Sequence, residues 1–309
     1  MAKTVVTGGA GFIGSHVAEL LAQRGDVVVV DDLSSGKQAN LPKTSKIKLV
    51  NANFTDSAAL EELKGASGVF HLAGIVGVPY SLEHAEETRR VNVDGTAALL
   101  EACEAAGVRS FVFASSASVY GNAASTGKQK QKESDALRPE SPYAESKVEG
   151  EKLVARASKK MRACSLRLFN VYGPRQQPGG AYAAAIPTFI DAALHGREIT
   201  VFGGAQTRDF VFVRDVARAF VLAAERGGNG KAFNVATGKS VSVIELAGEI
   251  VSLAESSSKI VFKPERSGEV RFSEADVSLA SSELGFKAEC PLEAGLEETL
   301  EYFKKLGRN

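Results

Sequence analysis

The segment Lys3–Asp31, with the sequence KTVVTGGAGFIGSHVAELLAQRGDVVVVD, most restricts how this chain folds. A short apolar run that ends at Gly8 is typical of a buried strand. Apolar residues at helical spacing follow up to Gly25, and a second apolar run, Val27–Val30, ends in Asp31. Strand, glycine turn, helix, strand and acid come in the order that a dinucleotide-binding site requires.

The glycines of this turn have separate physical roles. Gly8 lets the chain turn sharply off the strand, Gly11 leaves the backbone open to a pyrophosphate, and Gly14 lets the helix pack closely on the strand. Phe12 and Ile13 lie between the last two glycines, where the free N–H groups and the dipole of the helix start favour the phosphate charge. These five residues are therefore predicted to contact the cofactor.

The acid at the end of the second strand indicates which dinucleotide is bound. Asp31 can accept a hydrogen bond from a ribose hydroxyl, and it repels a 2′-phosphate. Asp32 adds a second negative charge, and neither position offers an arginine for a phosphate. We therefore predict NAD rather than NADP. Ser34, Ser35 and Gly36 either donate to the adenine side of NAD or form a plain solvated loop, and the sequence leaves both interpretations open.

Composition and charge exclude several other classes of protein. The chain has 309 residues, with 37 Lys and Arg against 37 Asp and Glu, so it carries no net charge that would attract nucleic acid or an anionic membrane. No signal peptide or membrane-length apolar run is visible, and a cytoplasmic protein is expected. The three cysteines and four histidines have no metal-ligand spacing, so no metal is expected. His71, at the end of an apolar run, is predicted to be a hydrogen-bonded strand-end residue.

The order of elements predicts the architecture. Six strand segments alternate with helical segments, which indicates a Rossmann-type doubly wound parallel sheet with helices on both faces. A stretch rich in Gly, Pro and Ala follows Pro174, and the second half is a smaller mixed α/β domain. We predict an NAD-binding domain at 1–173, joined by a returning segment at about 209–236, and a substrate domain at 174–309, with a cleft between them. The polar stretch 122–138 is predicted to be a solvated loop.

Two further segments are predicted to meet the cofactor. The fourth strand ends in Leu72, Ala73 and Gly74, and the small residues there leave room for a ligand beside the carboxyl ends of the strands. Asn92 lies on the long helical segment that follows, at about 86–106. These four residues complete the crevice that the glycine turn begins.

Three side chains carry the predicted chemistry. Tyr143 and Lys147 lie one helical turn, roughly 6 Å, apart on the same face. A phenol titrates near pH ~10, and a lysine cation together with a nicotinamide charge favours its phenolate, so Tyr143 is a candidate general acid/base with a lowered pKa. Ser116 ends the fifth strand, where its hydroxyl can bridge the tyrosine and a substrate. An isolated Tyr-x-x-x-Lys pair is more often a solvated helix face, but the preceding dinucleotide turn favours catalysis.

Seven ordered segments resemble the extended short-chain dehydrogenase/reductase family, and within it the NAD-dependent nucleotide-sugar epimerases. These segments are TGGAGFIGS, HLAG, VNVDGT, SSASVYG, SPYAESK, LRLFNVYGPR and QTRDFVFVRDV. The resemblance covers nearly the whole chain. It implies that Tyr143 takes the proton of the sugar 4-hydroxyl while hydride leaves C4 for NAD⁺. Ser116 assists at the sugar, and Lys147 also holds the nicotinamide ribose.

The same resemblance implies the substrate contacts. Asn170 matches an asparagine that meets the substrate phosphates, and Arg208 and Arg266 match arginines that hold the diphosphate, which suits the guanidinium fork. For each arginine, a surface ion pair is the other interpretation. Ser273 falls beside the sugar 2-position, where a small residue leaves room for an N-acetyl group.

Two departures from the family pattern bear on the activity. Asn53 stands where relatives often place an aspartate on the adenine amino group, and it could still accept that hydrogen bond. Relatives that dehydrate the sugar carry Asp-Glu after the catalytic serine or threonine, and decarboxylating relatives carry a glutamate. This chain has Ala117 and Ser118 there. Without a carboxylate at that place, simple epimerisation is expected.

The expected function is therefore NAD-dependent 4-epimerisation of a UDP-hexose, UDP-glucose or UDP-galactose, through a transient 4-keto sugar. The alternatives are a UDP-N-acetylglucosamine 4-epimerase, a 4,6-dehydratase, or a non-catalytic dinucleotide-sensing protein on the same scaffold. The resemblance also implies a homodimer formed through helices at about 92–106 and 143–160. No nucleic-acid or membrane partner is expected.

Overall fold

The computed structural model describes residues 3–126, 129–178, 184–265 and 270–307. Its strands are β1 (Lys3–Thr7), β2 (Val27–Asp31), β3 (Ile47–Asn51), β4 (Ala66–His71), β5 (Ser110–Ser116), β6 (Arg162–Leu168), β7 (Asn170–Tyr172), β8 (Ile199–Phe202), β9 (Thr207–Arg208), β10 (Phe210–Phe212), β11 (Ala232–Val235), β12 (Val241–Ser242) and β13 (Ile260–Lys263). Its α-helices are α1 (Phe12–Ala22), α2 (Ser57–Glu61), α3 (Val78–Glu83), α4 (Ala85–Arg89), α5 (Thr96–Ala105), α6 (Pro142–Ala157), α7 (Ala185–Leu194), α8 (Val213–Arg226), α9 (Val243–Leu253) and α10 (Leu292–Leu306).

The centre of the fold is a seven-stranded sheet in the order β11-β6-β5-β4-β1-β2-β3. Every neighbouring pair in it is parallel. The chain winds outward from β1 in both directions, so the strand order reverses between β1 and β4. This is the doubly wound arrangement, in which ligands bind beyond the carboxyl ends of the strands at that reversal. The predicted Rossmann-type fold is confirmed, and β11 is a strand of the same sheet.

Helices cover both faces of the sheet, which explains why its strands are apolar on successive residues. Val5 and Val6 are adjacent in β1, yet they belong to different hydrophobic cores. Val6 packs in the core that contains Phe220 of α8, and Val5 in the core that contains Val154 of α6. Successive side chains of a strand point to opposite faces, so a strand that is covered on both sides must be apolar throughout.

The second half of the chain builds smaller units. β7 pairs with β10 and β8 with β13, both in parallel, while β9 and β12 are antiparallel. α7, α9 and α10 enclose a third core that includes Phe189, Leu246 and Leu300. α9 begins with the capping box of Ser242 and Glu245 that the sequence indicated. The domain boundary at residue 173 stays a prediction.

Two segments differ from the expectation. The helical segment at 86–106 contains a π-helical turn, Arg90–Gly95, between α4 and α5. Such turns occur frequently at functional sites. In the predicted solvated loop, Gln131 is only 5% exposed, and its backbone N–H donates to the carbonyl oxygen of Glu274 at 2.8 Å. A bridge to a distant part of the chain therefore buries the middle of that loop.

No helix in the described ranges has both the length and the apolar character needed to cross a membrane.

Candidate active site

The glycine turn lies where the strand order reverses, and its backbone packs directly on neighbouring backbone. Gly8 has φ +67°, and a Cβ there would lie 2.6 Å from the backbone nitrogen of Ala73. A Cβ on Gly14 would lie 2.1 Å from the carbonyl oxygen of Gly8. No side chain fits at either position. The turn, the start of α1 and residues Leu72 and Ala73 after β4 therefore meet as the sequence predicted.

The start of α1 suits a pyrophosphate. Gly11 is the N-cap of α1, and no side chain caps this end of the helix. The first N–H groups of a helix have no partner within it, so those of Phe12 and Ile13 need an external acceptor. An uncapped helix start behind a glycine turn is where phosphate binds. The residues present therefore fit a dinucleotide.

Asp31 is held beside this turn and is only 7% exposed. Its Oδ2 accepts from the backbone N–H of Ala10 at 2.8 Å, and its Oδ1 accepts from that of Leu33 at 2.9 Å. A Cβ on Gly36 would lie 2.6 Å from Asp31 Oδ1, so only glycine lets the loop close over the carboxylate. Asn40, which the sequence did not single out, donates from Nδ2 to the carbonyl oxygen of Ala10 at 2.9 Å.

The remaining predicted adenosine-side residues are engaged with one another. Asp32 is exposed, and its Oδ1 accepts from the backbone N–H and the hydroxyl of Ser34 at 3.0 and 2.6 Å. Ser35 is exposed. Asn53 Oδ1 accepts from the backbone N–H and the hydroxyl of Thr55 at 3.1 and 2.8 Å, forming a turn after β3. Direct contact of these residues with the cofactor stays a prediction.

A chain of hydrogen bonds runs from β1 to the π-helical turn through His71. Its Nδ1 lies 2.7 Å from Thr7 Oγ1, and its Nε2 lies 2.9 Å from Thr96 Oγ1. The Thr96 hydroxyl donates to the carbonyl oxygen of Asn92 at 2.7 Å, so it accepts from His71 Nε2–H. Burial lowers the pKa of His71 to about 3, which keeps the ring neutral. The predicted hydrogen-bonded strand-end histidine is confirmed.

Asn92 joins the end of β4 to α6. Its side-chain amide bonds the backbone of Ile75 and also donates to Ser146 Oγ at 3.1 Å. Gly74 has φ +152°, and a Cβ there would lie 2.8 Å from Asn92 Oδ1, so the chain must carry glycine to pass this amide. Asn92 therefore shapes the crevice as well as being a predicted contact of the cofactor.

The three predicted catalytic side chains come together at the end of β5. α6 begins at Pro142 after the N-cap Ser141, whose hydroxyl accepts from the backbone N–H of Ala144. Within this helix, the Tyr143 hydroxyl is hydrogen-bonded to Ser116. Lys147 Nζ lies 5.7 Å from the centroid of the Tyr143 ring.

The electrostatics of this group differ from the sequence prediction. Burial raises the pKa of Tyr143, and the hydrogen bond from Ser116 opposes that rise. Burial lowers the pKa of Lys147 to about 8, while Glu151 raises it. Lys147 Nζ donates to the carbonyl oxygen of Ala114 at 2.9 Å. The predicted lowering of the phenol pKa is therefore wrong for the protein groups by themselves, because desolvation outweighs the hydrogen bond from Ser116. A second positive charge beside the ring would favour the phenolate.

Three of the predicted substrate residues converge on one short stretch of chain. The backbone N–H and Nδ2 of Asn170 donate to the carbonyl oxygen of Asp209 at 3.1 and 3.4 Å. Arg208 donates to the carbonyl oxygen of Thr207, and so does the backbone N–H of Ser273. Leu168, two residues before Asn170, pairs in register with Ser116. Asn170 therefore follows the carboxyl end of β6, next to the carboxyl end of β5 where the catalytic residues lie. Arg266 lies outside the described residues.

Asp209 organises this stretch, and the sequence analysis missed it. It is fully buried, and its carboxylate accepts from the backbone and hydroxyl of Thr237 at 2.8 and 2.7 Å and from the backbone of Gly238 at 2.8 Å and of Ala275 at 3.3 Å. Burial raises its pKa. An acid placed between Arg208 and an apolar run was the only signal in the sequence.

The described ranges contain no group of three or more His, Cys, Asp or Glu side chains that could hold a metal ion.

Comparison with known proteins agrees with this geometry. The family model described as the NAD dependent epimerase/dehydratase family matches residues 4–236. A UDP-glucose 4-epimerase of Mycolicibacterium smegmatis is 39% identical over 98% of both chains. A UDP-N-acetyl-alpha-D-glucosaminuronate decarboxylase of Bacillus cytotoxicus is 34% identical, also over 98% of both. The solved structure of a UDP-N-acetylglucosamine 4-epimerase from Methanobrevibacter ruminantium, in complex with UDP-N-acetylmuramic acid, superposes with a TM-score of 0.94 at 35% identity, over 99% of both chains. With its glycine turn, its acid after β2 and its serine, tyrosine and lysine at the end of β5, the chain belongs to the NAD-dependent epimerase/dehydratase family of extended short-chain dehydrogenases/reductases, and its cofactor is NAD.

Proposed function

We propose that this protein is a UDP-glucose 4-epimerase that interconverts UDP-glucose and UDP-galactose. One arrangement carries the proposal. The Tyr143 hydroxyl is bonded to Ser116, Lys147 lies one turn further along α6, and the residues after Ser116 are Ala117 and Ser118 rather than carboxylic acids. Dehydration or decarboxylation of the sugar needs a further acidic group there. The relative at 39% identity carries the name of the proposed activity.

The proposed mechanism divides the work between cofactor and protein. When bound, NAD would supply the hydride acceptor and donor needed at carbon 4 of the sugar, and the 4-keto sugar would present its opposite face for the return. The Tyr143 oxygen, aligned by the Ser116 hydroxyl, accepts the proton of the 4-hydroxyl and later returns it. The Lys147 cation favours the phenolate form of Tyr143. The backbone N–H groups at the start of α1 would hold the pyrophosphate of NAD, and Asp31 its adenosine ribose.

Ser118 adds a polar group to the proposed sugar site. Its backbone N–H donates to Ser116 Oγ at 3.1 Å, so the chain curls back on the catalytic serine. Its own hydroxyl is enclosed and has no hydrogen-bond partner among the described residues. A buried hydroxyl without a partner is unfavourable. The residue as a whole is half-buried, so rotation of its side chain would bring the hydroxyl to a sugar hydroxyl bound beside Ser116.

The substrate phosphates are proposed to lie against Asn170, Arg208 and Arg266. The guanidinium groups neutralise the diphosphate and bind it through two parallel hydrogen bonds. Ser273, which is 7% exposed, is proposed to lie beside the sugar 2-position. Its small side chain supports the second candidate function, 4-epimerisation of UDP-N-acetylglucosamine, because a larger residue would exclude the acetyl group.

A homodimer is part of the proposal. The family expectation places α5 and α6 of each protomer in the contact. Sedimentation velocity at micromolar concentration would reveal the dimer, and a monomer at those concentrations would remove it from the proposal.

The deciding experiment offers a panel of nucleotide sugars to the purified protein and analyses the products. UDP-glucose, UDP-galactose, both UDP-N-acetylhexosamines and dTDP-glucose form the panel, with Tyr143→Phe as the matched inactive variant. We expect UDP-glucose and UDP-galactose each to give the same equilibrium mixture of the two. A 4-keto-6-deoxy product would contradict the proposal in favour of a dehydratase. Bound NAD without turnover of any sugar would favour the sensing protein.

A further inference from the structure

α6 is joined to the end of β5 by three residues at four-residue spacing. Tyr143 bonds the side chain of Ser116, and Lys147 bonds the carbonyl oxygen of Ala114. Glu151, one turn further along, accepts from the hydroxyl of Ser115 at 2.6 Å. Three consecutive residues of the strand therefore face three consecutive turns of the helix. The third of these contacts has no place in the proton chemistry described above.

Glu151 is held more firmly than a lone helix carboxylate. Arg167 of β6 donates from Nε to Oε1 at 2.9 Å and from Nη2 to Oε2 at 2.8 Å. The two side chains are only 10% and 5% exposed. Arg167 Nη1 donates to the Tyr120 hydroxyl at 2.9 Å and to the carbonyl oxygen of Glu133 at 3.2 Å. A two-point contact of this kind fixes both the distance and the orientation of the carboxylate.

The stability of the fold alone does not account for such a pair. Desolvation of two buried charges offsets most of their attraction, so an apolar pair of similar volume would serve the core as well. What the pair supplies is a negative charge at a fixed place. That charge lies one helical turn from Lys147, and it raises the pKa of a lysine that burial lowers to about 8.

Within the part of the chain that the structure describes, Glu151 carries the charge that acts on Lys147 with opposite sign. Tyr143 and Glu151 lie one turn before and one turn after it on α6. His71 of β4 is neutral, its pKa lowered first by burial and further by the Lys147 cation. Arg167 of β6 is held through Glu151. Glu151 therefore favours the charged form of the lysine against the cost of burial.

We infer that Glu151 is a positioning residue for the active site. Its carboxylate, locked by Arg167 and Ser115, sets α6 against the end of β5 and lies one turn from Lys147. The consequence for turnover rests on the proposed function. The effect on the charge of Lys147 does not, so the two are measured separately.

The charge is measured by NMR of protein labelled with [ε-¹³C]lysine, whose Cε shift follows protonation of Nζ. The Lys147 signal is assigned by its loss in Lys147→Met. In Glu151→Gln we expect the titration midpoint of Lys147 to move to lower pH by roughly one unit. Glu151→Asp, which keeps the charge, should restore most of the wild-type midpoint.

Tyr120→Phe is the matched control. It removes the other partner of Arg167 from the same buried network while leaving Glu151 in place, so it should lower stability without moving the Lys147 midpoint. If Glu151→Gln does not fold, the double variant Glu151→Gln/Arg167→Met, which leaves no unpaired guanidinium, is titrated in its place. An unchanged midpoint in the charge-free variant would overturn the inference.

Turnover provides the second readout. If the proposed epimerase activity is present, Glu151→Gln should lower kcat with little change in KM, by about twofold at pH 7 and about fivefold at pH 8 for a one-unit fall from a midpoint of about 8. Tyr120→Phe should keep the wild-type pH profile. A shifted Lys147 midpoint in a protein without epimerase activity would uphold the inference and contradict only the proposed function.

Discussion

The side-chain amide of Asn92 forms two hydrogen bonds with the backbone of Ile75, accepting from its N–H at 2.8 Å and donating to its carbonyl oxygen at 2.9 Å. The amide thus replaces a strand neighbour just beyond the end of β4. Its third bond, to Ser146 Oγ, reaches α6 next to Lys147. One buried residue in a π-helical turn therefore fixes the cofactor crevice and the catalytic helix relative to each other.

Asn92→Ala should lower both stability and NAD affinity. The substitution leaves the N–H and carbonyl of Ile75 without their partner, at a cost of about 1–3 kcal/mol in the free energy of unfolding. Urea denaturation and calorimetric titration with NAD measure the two effects. Ser146→Ala, which removes only the third bond, should cost less in both. Wild-type NAD affinity in Asn92→Ala would contradict the role assigned to this amide.

Tyr143→Phe should abolish turnover and spare the cofactor site. Loss of a general acid/base lowers kcat by about 10²–10⁴-fold. The ring that packs near Lys147 is kept, so NAD should still bind. The rate of product formation and the NAD content of the purified protein are the measurements. Tyr302→Phe on α10 is the matched control and should keep full activity. Near wild-type turnover in Tyr143→Phe would exclude the assigned acid/base.

The parts of the site that the sequence predicted are those encoded by neighbouring residues. Gly8, Gly14 and Asp31 lie within one strand-helix-strand unit, where residue type and spacing determine the geometry. The pairing of Glu151 with Arg167 joins a helix to a strand that follows it, and its meaning depends on the burial of both side chains. Asp209 was missed for the same reason.

The direction of the Tyr143 pKa shift could not be predicted from spacing. The spacing of Tyr143 and Lys147 along the helix predicts an attraction between the lysine cation and the phenolate. The free-energy cost of burying the phenolate, however, depends on every group packed around the ring. The burial of Gln131 within a polar segment was likewise not predictable from local sequence. It arises because the backbone of Gln131 pairs with a segment more than a hundred residues further along the chain. Such effects belong to the tertiary structure.

Ser118→Ala should weaken sugar binding without loss of stability. The Ser118 hydroxyl has no partner among the described residues, so its removal should leave the unfolding free energy unchanged or slightly higher. If a sugar hydroxyl satisfies it, KM should rise by about fivefold or more. Ser165→Ala is the matched control, because the hydroxyl of Ser165 on β6 is likewise enclosed and without a partner in the described ranges. Equal KM values in the two variants would remove Ser118 from the sugar site.

Lys147→Met should stabilise the protein at neutral pH while it removes activity. The pKa of Lys147 falls from 10.5 to about 8 on burial, so the unfolded chain binds more protons than the folded chain between these pH values. The contribution of this residue to the free energy of unfolding therefore rises with pH across that window, and its full cost is present below it. Replacement by an apolar side chain of similar length removes that cost, which amounts to about 1–3 kcal/mol once the lost bond to Ala114 is allowed for.

Urea denaturation of the wild-type protein and of Lys147→Met, repeated across the same pH window, tests this prediction. The variant should be the more stable at pH 7, and its advantage should shrink toward pH 10.5. A variant that is less stable at pH 7, or an advantage that does not change with pH, would mean that the lysine is not held against the cost of burial.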